Sequence, residues 1–124
     1  MSATMLVGAA EVQITPPVGT ELAGYFSPRV SEGVISELMA KAVVVGDGEN
    51  RVAIIACDLI TMTAEVSGPA REKIERETGI RGNRVLICST HTHTGPELRP
   101  NRPIKRNEEW FATLPGLIAD AAIA

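Results

Sequence analysis

At 124 residues, 44% of them hydrophobic, residues 1–124 have the size and apolar content of one globular domain with a buried core, which excludes a disordered chain. Twelve Lys and Arg stand against fifteen Asp and Glu, a net charge of −3, and no basic cluster is dense enough to track a phosphate backbone, so no nucleic-acid partner is expected. No apolar run approaches the roughly 20 residues of a bilayer span, MSATMLVGAAEVQ lacks the basic start of a secretory signal, and the two cysteines, Cys57 and Cys88, lie inside apolar runs, so the expectation is a chain without a transmembrane segment in a reducing, cytoplasmic compartment.

LVGAAEVQ reads as a short extended segment that ends before Pro16-Pro17, and Gly19 and Gly24 announce an irregular loop in which Tyr25, the only tyrosine, is taken as packing. Met39 to Val45 and Arg51 to Cys57 flank Gly46-Asp47-Gly48 and read as a hairpin. VAIIAC is apolar on both alternating faces, which predicts a strand covered on both sides.

Ser67 can cap a helix over 67–78, with Pro69 at an early position, Ala70 and Ile74 buried, and Gly79 as the stop. Val85 to Thr90 is a second strand apolar on both faces, so strand, helix and strand form a βαβ unit with parallel strands and a right-handed crossover. Glu97 is read as solvated, and Arg99, Arg102, Lys105 and Arg106 as a solvated loop. Asn107 then caps a helix over 108–122, with Trp110, Leu114, Leu117, Ile118 and Ala121 at helical spacing, and Pro115 should bend or restart it. The fold class is α/β: a mixed sheet containing a hairpin and a βαβ unit, with helices packed on it.

This topology locates the chemistry, because ligands of open α/β sheets bind beyond the carboxyl ends of the parallel strands. Asp58 and His91-Thr92-His93 fall just past two such ends and should share one rim. In extended geometry the period of two sends both imidazoles to one side, about 7 Å apart along the chain. A His-X-His pair can bind a metal or serve as ordinary hydrogen-bonding residues at a strand end, and spacing leaves both open. Asp58 can act in catalysis, cap its loop, or orient a neighbouring imidazole. A metallo-β-lactamase pattern, His-X-His-X-Asp-His, fails because Gly95 and Pro96 stand where its Asp and His belong. An amidohydrolase barrel is disfavoured by the hairpin that precedes the pair.

VGAAEVQITPPVGTELAGY, VISELMAKAVVV, VAIIACDLI and GIRGNRVLICSTHTHTGP together resemble, in order and spacing, the amino-terminal part of the neutral/alkaline non-lysosomal ceramidase family. The most specific element, Thr90 to Pro96, is similar to the family's Thr-His-Thr-His-Ser-Gly-Pro, with Thr94 in place of Ser. Ile14-Thr15-Pro16-Pro17, Gly24-Tyr25 and Asp58-Leu59 support it. The resemblance implies a Zn2+-dependent hydrolase that cleaves the N-acyl bond of ceramide to sphingosine and fatty acid. It implies that His91 binds zinc and that His93 lies at the reacting centre; Asp58 is a further catalytic candidate from its place on the rim. The family's other ligands, a His, a Glu and a Tyr, come from later in a longer chain, so these residues are expected to be an amino-terminal fragment carrying half a site. The expected partner is a small-molecule or lipid N-acyl substrate. The alternative is a non-catalytic ligand- or partner-binding module, or an inactive remnant.

Overall fold

The computed structural model describes residues 4–124. In chain order these form strands β1 (Leu6–Gln13), β2 (Glu21–Leu22), β3 (Arg29–Val30), β4 (Met39–Gly46) and β5 (Arg51–Cys57), helix α1 (Ala64–Thr78), a 3-10 turn (Gly82–Arg84), strand β6 (Val85–Ser89) and helix α2 (Glu108–Ile123). A four-stranded sheet runs β1-β4-β5-β6, and β2 and β3 form a separate small ribbon. β1, β4 and β5 are antiparallel neighbours, and β5 and β6 are parallel, as the hairpin and βαβ readings require.

Register follows from the two-residue period. Ala10, Ala42, Ile55 and Ile87 stand opposite one another across the sheet on its inner face. Small side chains at Ala40, Ala42 and Ala53 let the helices approach closely. Val66, Ala70 and Ile74 of α1 and Leu114, Ile118 and Ala119 of α2 are buried in the same cluster. α2 lies against β1, β4 and β5, and α1 packs beside α2.

The other face differs from expectation. Val43, Ile54 and Leu86 form a row on it and are 40%, 45% and 55% exposed, so among the described residues β5 and β6 are covered on one side only. Both helices lie on the inner face, and an apolar pattern records what a face is made of without specifying what sits on it.

Helix ends follow local chemistry, with two corrections. α1 starts after Thr63, three residues before the sequence-based boundary; Ser67 is buried inside the helix with Oγ accepting from Arg71, so it is no cap. Thr63 makes no side-chain capping hydrogen bond, so burial of Val66, Ser67 and Ala70 rather than the cap places the helix start. Gly79, at φ 79°, ends the helix as expected, its N–H bonded to the Glu75 carbonyl. Asn107 caps α2 by accepting from the Trp110 N–H at 3.1 Å. α2 runs unbroken through Pro115 and does not restart there. One missing N–H is outweighed by the burial of Leu114, Ile118, Ala121 and Ala122 on either side of it.

Candidate active site

Cys57 and Ser89 are register partners at the carboxyl ends of β5 and β6, and the parallel pairing continues briefly beyond them. Thr90 N–H donates to the Cys57 carbonyl and His91 N–H to the Leu59 carbonyl, each at 3.0 Å. His91 then turns into the left-handed region at φ 67°, an uncommon conformation for a residue with a Cβ. The strand therefore ends before the histidine pair, and the extended spacing of about 7 Å does not apply. The turn folds the two imidazoles onto each other, with Nε2 atoms 3.2 Å apart and rings edge to face at 4.8 Å.

Backbone carbonyls determine how the rings present themselves. His91 Nδ1 lies 2.8 Å from the Ile60 carbonyl oxygen and His93 Nδ1 lies 3.0 Å from that of Gly24. A carbonyl only accepts, so both Nδ1 atoms carry hydrogen, and in the neutral rings both Nε2 atoms are bare acceptors. Two lone pairs at this separation repel unless a positive centre, a proton or a metal ion, is shared at or near them.

The 20–31 loop supplies the second anchor. Gly24 has φ 105°, and a Cβ there would overlap His93 Nδ1 and stand 2.8 Å from its Cγ. Glycine is the residue that allows this approach. Tyr25 is 55% exposed, which corrects its reading as packing; its ring meets His93 edge-on at 5.7 Å, and the Arg29 guanidinium sits 4.0 Å from its centroid. Arg29 also donates to the carbonyls of Ala23 and His93. Ala23 N–H donates to the Gly95 carbonyl at 2.8 Å, tying the loop to the Thr94-Gly95-Pro96 turn.

Asp58 reaches the same rim, as placement in the sequence predicted. Its Oδ2 accepts from the Met39 N–H at 3.1 Å and its Oδ1 from the Thr90 hydroxyl at 3.2 Å. Neither imidazole is among its hydrogen-bond partners. Thr92 and Thr94 share a 3.0 Å hydroxyl contact, and Thr92 Oγ1 accepts from Thr94 N–H, so Thr94 keeps the hydroxyl role open to a serine there.

Glu97 corrects the sequence reading outright: it is 1% exposed. Oε1 accepts from the Leu98 and Arg99 N–H groups and from Arg99 Nε, and Oε2 accepts from Arg99 Nη2. Burial pushes its carboxyl upward, but the Arg99 guanidinium and the backbone donors outweigh that and hold it below the usual range. Arg106 is likewise not solvated: its side chain is 10% exposed and bonded to Glu65 and Glu108.

Among the described residues no group of three or more His, Cys, Asp or Glu side chains is arranged to hold one metal ion. The Cys57 thiol is buried, and burial pushes its pKa up to about 12 with help from Cys88 and Asp58. The donor set is thus two imidazoles, which fits part of a zinc site.

Cavities flank the turn. One of about 760 Å³ runs beside Thr94 and Gly95 and is walled by Leu22, Val30, Val34 and Leu38. Another of about 420 Å³ is lined by His93, Tyr25, Phe26, Ile60 and Ile104. Neither Gly24 nor Glu97 carries a sequence signal for its role. For Gly24 the hints were its place in an irregular loop and the Gly24-Tyr25 pair within the family resemblance; neither pointed to His93.

No protein-family model matches this sequence, and no curated protein matches it. Among solved structures, the chain is similar to neutral ceramidase from Pseudomonas aeruginosa, with a TM-score of 0.86 at 20% identity over 98% of this chain and 21% of that one. It is also similar to a ceramidase complexed with C2, with a TM-score of 0.83 at 20% identity and the same coverages. At this identity the likeness establishes the fold: the chain has the architecture of about a fifth of those larger proteins. Among the described residues no helix is long and apolar enough to cross a membrane.

Proposed function

We propose that this chain is the histidine-bearing part of a zinc-dependent, ceramidase-like hydrolase of N-acyl amide bonds, with a site completed by residues outside these 124. The observation that carries this reading is the pair of facing Nε2 atoms, 3.2 Å apart, on a fold shared with ceramidases. At this separation both Nε2 atoms face one small space, in which His91 could hold an ion while His93 reaches a group beside it.

In this reading His91 holds zinc through Nε2 while the Ile60 carbonyl fixes its tautomer. Zinc, when bound, polarises the amide carbonyl and brings the pKa of water toward ~7. His93, kept as the Nδ1–H tautomer by Gly24, has a bare Nε2 with which to take a proton from attacking water and return it to the leaving amine. Asp58 acts through structure: it joins the start of β4 to Thr90 and so holds the turn that carries both rings.

The test uses a polypeptide that contains these residues and the completing ligands, assayed with a short-chain ceramide. His91→Ala is expected to lose zinc and activity together. His93→Ala is expected to keep much of its zinc while turnover falls by about 10²–10⁴-fold. Metal analysis beside steady-state kinetics reads both. Equal loss of zinc would make the histidines joint ligands, and retention of zinc and activity by both variants would leave a ligand-binding module.

A further inference from the structure

The two cavities beside the histidine pair differ in charge. In the larger, the apolar wall of Leu22, Val30, Val34 and Leu38 is accompanied by Arg29 and Glu32, one charge of each sign. The smaller has an apolar lining from Phe26, Ile60 and Ile104 and three charged side chains, Glu97, Arg99 and Arg102. Glu97 and Arg99 neutralise each other through a two-pronged ion pair. Arg102 is exposed and makes no hydrogen bond or ion pair with any described residue. The smaller cavity therefore has one uncompensated positive charge on an apolar lining, with His93 in the same wall.

An exposed loop arginine is ordinarily just solvated. Here Tyr25 and Phe26, 55% and 105% exposed, line the same cavity. Exposed aromatic rings, an apolar floor and a free guanidinium are the recognition elements of a small amphipathic anion.

We infer that the smaller cavity takes the amine side of the substrate and that Arg102 reads a carboxylate carried there, so the preferred substrates are N-acyl amino acids, with the acyl chain in the larger apolar cavity. This rests on the amide-hydrolase reading above. Hydrolysis adds water across the amide to give a fatty acid and an amine, and the carboxylate read by Arg102 leaves unchanged on the amine product.

The test needs neither zinc nor turnover, so it can fail independently of the hydrolase reading. The 124-residue chain is titrated with N-octanoylglycine and with the uncharged N-octanoylethanolamine, following amide chemical shifts at Gly24, Ile60 and Ile104. The glycine conjugate is expected to bind about tenfold tighter, with the difference shrinking as salt rises. Arg102→Ala should reduce its affinity to that of the ethanolamide, and Arg102→Lys should keep part of the preference; Arg102 has no partner among the described residues whose loss would disturb the fold. Equal affinities for the two ligands, a preference that survives Arg102→Ala, shifts confined to other surfaces, or no binding of either at millimolar concentration would each overturn the proposal. None of these results bears on whether His91 holds zinc.

Discussion

His93 can stand where it does because residue 24 has no side chain. Its imidazole occupies the space a Cβ would take, and the Gly24 carbonyl then accepts the Nδ1 hydrogen. Gly24→Ala is expected to displace the ring, strain a backbone at φ 105° and cost about 2 kcal/mol. Imidazole ¹⁵N spectra should show His93 losing its Nδ1–H tautomer while His91, held by Ile60, keeps it; an unchanged His93 pattern would remove Gly24 from the site. Glu97 sets a pH dependence. Its carboxyl is held below the ordinary 4.5, so the stability it contributes is present above that value and lost as pH falls through the lower folded value. Melting temperature followed from pH 7 downward should fall in that acidic window. Glu97→Gln should lower stability at pH 7 by about 2 kcal/mol and flatten the acid slope. A parallel slope in the variant would assign the acid sensitivity elsewhere.

At the scale of elements, neighbouring residues of β5 have opposite environments. Ile55 points into the helices and is 0% exposed, whereas Ile54 points outward and is 45% exposed. Ile55→Ala should cost about 2–4 kcal/mol through lost burial and a residual cavity, and Ile54→Ala less than about 1 kcal/mol. Urea denaturation of the 124-residue chain measures both. Similar costs would mean that the outer face is covered in solution. The helix-end differences have the same origin as this asymmetry, because burial decides them, rather than a cap at Thr63 or the N–H missing at Pro115.

At the scale of the molecule, the chain corresponds to 21% of each ceramidase it resembles in fold, and its two imidazoles are fewer than the three protein ligands usual for catalytic zinc. Calorimetric titration of the 124-residue chain with zinc should therefore give weak binding, and a short-chain ceramide should not be hydrolysed measurably. Under the proposed function, a longer polypeptide that supplies further ligands should bind zinc tightly and hydrolyse the ceramide. Tight stoichiometric binding by these residues alone would mean that two histidines and solvent complete the site, against the proposed function.

Periodicity, turn chemistry and capping in the sequence determined the hairpin, the parallel β5–β6 pair, the Asn107 cap and the common rim of Asp58 and the histidines, because these depend on residues adjacent in the chain or on a two-residue repeat. Local pattern could not place the inward ring of His93, the burial of Glu97, the partners of Arg106 or the open outer face. His93 is anchored by Gly24, 69 residues earlier, and Arg106 reaches back 41 residues to Glu65. Among the described residues the outer face is open because both helices pack on the opposite side. Only the tertiary structure brings such distant groups together, and the left-handed turn at His91, stabilised by the Leu59 and Ile60 carbonyls, converts a His-X-His spacing into two facing nitrogens.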